Sequence, residues 1–77
     1  MSRREILWKR PDGSVVACTE KIKVLRENLD ELRQMAQDAF EDALLMECEE
    51  SQVRAVFLEV IAGLKNPYDK PPDTGES

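Results

Sequence analysis

Three groups of residues in this chain could do chemistry: two cysteines, a run of carboxylates, and a cluster of cations around one tryptophan. Cys18 and Cys48 lie far apart and form no Cys-x-x-Cys arrangement. Cys18 is expected to fill an apolar face. Cys48 is expected at a turn among carboxylates, which raise a thiol's pKa and lower its reactivity. Both therefore read as inert, reduced thiols. Asp38, Glu41, Asp42, Glu47, Glu49 and Glu50 could in principle hold a divalent cation. Calcium loops, however, alternate oxygen ligands around a glycine, and no such loop is present. The cluster reads as a solvated helix face, or as an acidic docking surface for a basic partner. There is no histidine, so the commonest general base and metal ligand is missing. Gly13, Gly63 and Gly75 are too scattered to cradle a phosphate. The expectation is no enzyme, no cofactor and no metal site.

Arg3, Arg4, Lys9 and Arg10 surround Trp8 and are the one hint of phosphate contacts. The net charge of −5 disfavours nucleic acid as a partner. The charge is uneven, however. Up to Arg33 there are eight Lys/Arg against six Asp/Glu, and beyond it three against ten.

These groups hang on one long helical stretch. From Ile22 the apolar positions Leu25, Leu29, Leu32, Ala36, Ala39, Ala43 and Met46 recur in alternating steps of three and four. That is a heptad seam, which buries one stripe of a helix against another helix. Thr19 reads as its N-cap, so a helix over 19–47 is predicted. A second helix is predicted over 51–65, capped by Ser51 and stopped by Asn66-Pro67. Val53, Phe57, Val60 and Leu64 form its stripe, flanked by Val56 and Ile61, and supply bulk to face the three alanines. The join at 47–51 has no Gly or Pro. The heptad continues in phase through Glu50, so one continuous helix is the alternative. A helical hairpin is preferred, because it places the polar run in a solvated turn rather than a charge on the seam.

Ahead of the helices, residues 5–18 read as a β-hairpin. Pro11-Asp12-Gly13 forms the loop, with Gly13 in the left-handed region. In this register Trp8 faces Val16 and Ile6 faces Cys18. The order of ribbon and two helices resembles the ribbon-helix-helix DNA-binding fold in topology alone. That resemblance implies Arg3, Arg4, Lys9 and Arg10 as phosphate contacts. The chain departs from it in having a local hairpin and a first helix more than twice as long. Residues 67–77 cannot bury enough apolar surface to offset ordering and are predicted to be disordered.

The fold expected is thus α+β, mainly α. One small domain over 1–66 carries a β-hairpin, a long helix and a short antiparallel helix. The helices would be about 28 and 15 residues, or roughly 42 and 22 Å. The short one cannot cover Ile22, Leu25, Leu29 and Leu32. Either the ribbon covers them, with Trp8 as a lid, or a second copy does, as a dimeric four-helix bundle. Trp8, Ile22, Leu25, Leu29 and Leu32 are therefore the predicted association stripe. A homodimer is the expected partner state, with a client protein helix as the other possibility. The apolar run after the basic N-terminus is too short for a signal peptide, and no run is long enough for a membrane span. A cytoplasmic protein is expected. The function read from these features is a non-enzymatic interaction or adaptor module. The alternative is a small nucleic-acid-associated regulator acting through the basic ribbon.

Overall fold

A computed structural model of the protein describes residues 5–68. Among these residues there are two helices and no strand: α1 over Thr19–Leu45 and α2 over Glu50–Ala62. The chain divides into two compact units, Met1–Ala39 and Phe40–Ser77, each described here by itself.

The first unit corrects the α+β expectation, because the N-terminal β-hairpin is not formed. Only an isolated antiparallel bridge joins Lys9 and Val15. The backbone bonds at this point are few. Arg10 N–H donates to the Ser14 carbonyl at 2.8 Å, and Val16 N–H to the Trp8 carbonyl at 2.9 Å. What survives is the reverse turn. Gly13 N–H donates to the Arg10 carbonyl at 2.9 Å, and Gly13 takes the left-handed φ of 92°. Asp12 accepts from the Ser14 backbone N–H at 2.9 Å and from the Ser14 hydroxyl at 2.7 Å. The physical reason for the missing ladder is the helix that follows. The returning arm has only two residues between Val16 and Thr19, too few to extend a ribbon that is marginal by itself.

The helix α1 follows from its amphipathic pattern. Its outer face carries the pairs Lys23–Glu27 (4.0 Å) and Asp30–Arg33 (3.2 Å), and Gln34 donates to Asp38 at 3.0 Å. Such neighbours contribute about 0.2–0.5 kcal/mol each. Thr19 is the first helical residue and not the cap. The Cys18 carbonyl already accepts from Ile22 N–H at 3.0 Å, which makes Cys18 the boundary residue.

In the second unit α1 ends two residues short of the predicted Glu47, and the alternative of one continuous helix is not what forms. Cys48 N–H reaches back to the Ala43 carbonyl at 3.0 Å, and Glu47 N–H to Leu44 at 2.9 Å. That crossed pair is a Schellman closure, with Glu47 at its left-handed position, φ 68°. A side chain there is strained relative to glycine. Glu47→Gly is therefore expected to stabilise the helical hairpin by about 1 kcal/mol. Denaturant titration followed by circular dichroism checks this, and an unchanged or lower midpoint would show that the turn carries no such strain.

The cap of α2 is Glu49 rather than Ser51. The Glu49 carboxylate accepts from the backbone N–H of Ser51 (3.1 Å) and of Gln52 (2.9 Å). Ser51 turns its hydroxyl onto the same carboxylate at 2.7 Å. The Ser51 hydroxyl first, then the two N–H groups, hold the Glu49 carboxyl below its ordinary 4.5. A depressed folded pKa means that this cap is fully present above 4.5 and is lost as pH falls through the folded value. The helicity of α2 should fall across that acid window, and Glu49→Gln should remove the pH dependence. At its far end α2 stops at Gly63, whose N–H donates to the Glu59 carbonyl at 2.9 Å. Residues 67 and 68 follow as a turn, with Asn66 accepting from Tyr68 N–H at 2.8 Å. The rest of the predicted disordered tail lies outside the described residues.

Candidate functional site

The predicted association stripe lies in the first unit, and the structure divides it. Trp8, Ile22 and Leu29 line one shallow cleft, together with Glu5, Ile6, Arg26 and Arg33. Arg26 pairs with Glu5 at 3.3 Å, an exposed ion pair between the N-terminal segment and α1. Trp8, Ile22, Leu25 and Leu29 are half-buried. Trp8 thus lines the cleft beside Ile22 and Leu29 without the β-hairpin that was expected to carry it. Leu32 is not part of that lining and remains 49% exposed. Beside Leu32 on α1, Val24 (53%) and Met35 (73%) are open as well. The heptad seam had not included those two, because Val24 and Met35 lie one step off its alternation.

Of the four proposed phosphate contacts only Lys9 and Arg10 fall among the described residues; Arg3 and Arg4 lie outside them. The Arg10 guanidinium donates to the Val15 carbonyl at 2.7 Å and to the Ser14 hydroxyl at 3.3 Å, so it is engaged in closing its own turn. Lys9 is exposed.

Cys18 is exposed and does not fill an apolar ribbon face. Its sulfur sits at the start of α1. The backbone N–H of Lys21 first, and of Glu20 second, draw the thiol pKa below its ordinary 9.0; the charges of Lys21 and Arg10 act in the same direction. A thiol lowered this way carries more of the nucleophilic thiolate at a given pH than an unperturbed one. Native Cys18 should therefore be alkylated by iodoacetamide severalfold faster than the same residue in urea at pH 7.5. Peptide mapping by mass spectrometry reads the ratio, and slower native labelling would refute it. The sequence signal was available, since Cys18 directly precedes Thr19, but the hydroxyl of Thr19 drew the cap assignment. Among the described residues no group of three or more His, Cys, Asp or Glu is placed to hold a metal ion.

The second unit holds the one buried residue of the described chain. Val53, at 7%, sits where α2 begins. In the same unit the Phe40 and Phe57 rings meet edge to face, with centroids 6.4 Å apart. The Arg54 guanidinium lies 4.6 Å from the Phe40 ring centre and pairs with Glu50 at 2.9 Å. Along α2 the cover then fails. Phe57 is half-buried, Val60 is 60% exposed, and Leu64 is 72% exposed. Within this unit α1 contributes only residues 40–45, enough to shield the first turns of α2. Leu58, off the predicted stripe, is 69% exposed.

Among the described residues no helix is long and apolar enough to cross a membrane. The chain matches no family model, no curated protein and no solved structure.

Proposed function

We propose that the chain is a small non-enzymatic association module of the cytoplasm, whose open helical stripe pairs with a helix of another chain. One observation carries this reading. Among the described residues fifteen large apolar side chains are more than a third exposed, while Val53 alone is buried. Such side chains are worth about 1.5–3 kcal/mol each on full burial, so this much open apolar surface marks an interaction site. The exposed free thiols of Cys18 and Cys48 fit a reducing compartment.

On this reading Leu32, open beside the Trp8 cleft, is the member of the predicted stripe that meets the partner. Ile22, Leu25 and Leu29 serve the chain's own packing. The test is Leu32→Glu, made at a half-exposed position where the fold loses little. The wild type should either retain a partner that the variant does not retain, or form an oligomer where the variant is a monomer. Light scattering over a tenfold concentration range and affinity capture read the two cases. Equal behaviour of both proteins would remove Leu32 from any interface.

A further inference from the structure

We draw no further inference here: the strongest candidate, the open apolar patch of α1 that holds Val24, Leu32 and Met35, carries nothing beyond the association reading because nothing in the structure shows what covers it.

Discussion

Val53→Asp should unfold the second unit while leaving most of α1 helical. A helix of 13 residues, as α2 is, is marginal in water and depends on packing for its stability. Its packing is concentrated at one position, because Val53 is the only buried residue among those described. A carboxylate there would be largely shut off from water, since Val53 is only 7% exposed. An unpaired buried charge costs about 3–5 kcal/mol, a large fraction of what a small domain has in total. Circular dichroism should lose about the share of signal that α2 supplies, and the aromatic proton shifts of Phe40 and Phe57 should collapse to random-coil values. Val53→Ala should do the same in part, since it removes two methyl groups without adding charge; a cost of roughly 1–2 kcal/mol is expected. Leu58→Asp is the control, because Leu58 is open and its substitution should leave helicity unchanged. Wild-type helicity in Val53→Asp would mean that α2 stands without Val53.

Periodicity made the helices legible, and its limits explain what was missed. Ile22, Leu25 and Leu29 share a face because a 3.6-residue repeat forces them to, so α1 and its covered edge could be read directly. The same pattern could not decide the join, because Glu50 continues the phase. Glu47 decided it by adopting a left-handed φ that its residue type does not advertise. The N-terminal error has the opposite origin. Local turn chemistry at Pro11-Asp12-Gly13 was read correctly, and Gly13 does take positive φ. A turn does not make a ladder, though. The two arms needed length and a surface to pack on, and Thr19 begins a helix before the second arm has either. The Ser51 cap failed because the helix begins earlier: the Glu49 carboxylate takes the N–H groups of Ser51 and Gln52, and Ser51 spends its hydroxyl on the same carboxylate. Of the candidate site, Leu32 is 49% exposed, and Arg10 donates to the Val15 carbonyl of its own turn.

Trp8→Ala should release the N-terminal segment and increase association, the opposite of what Leu32→Glu should do. The indole is half-buried over the cleft that Ile22 and Leu29 line. Truncating a fully buried tryptophan costs about 3–5 kcal/mol; half exposure brings the expected loss to about 2 kcal/mol. The remaining tether is the Glu5–Arg26 pair at 3.3 Å, and both partners are solvent-exposed. An exposed ion pair contributes about 0–1 kcal/mol, too little to hold the segment alone. The Val16 amide, bonded to the Trp8 carbonyl, should then lose its hydrogen-exchange protection, while the amides of α1 keep theirs. With the indole gone, Ile22 and Leu29 should join Leu32 as open apolar surface on α1. Apolar surface newly in water raises the free energy of the lone chain and so favours any state that covers it. Light scattering should therefore show a larger mass for Trp8→Ala than for the wild type at the same concentration. Trp8→Phe, which keeps an aromatic ring over the cleft, should restore most of the protection. A Val16 amide still protected in Trp8→Ala would mean that the turn holds itself in place and that Trp8 is no lid.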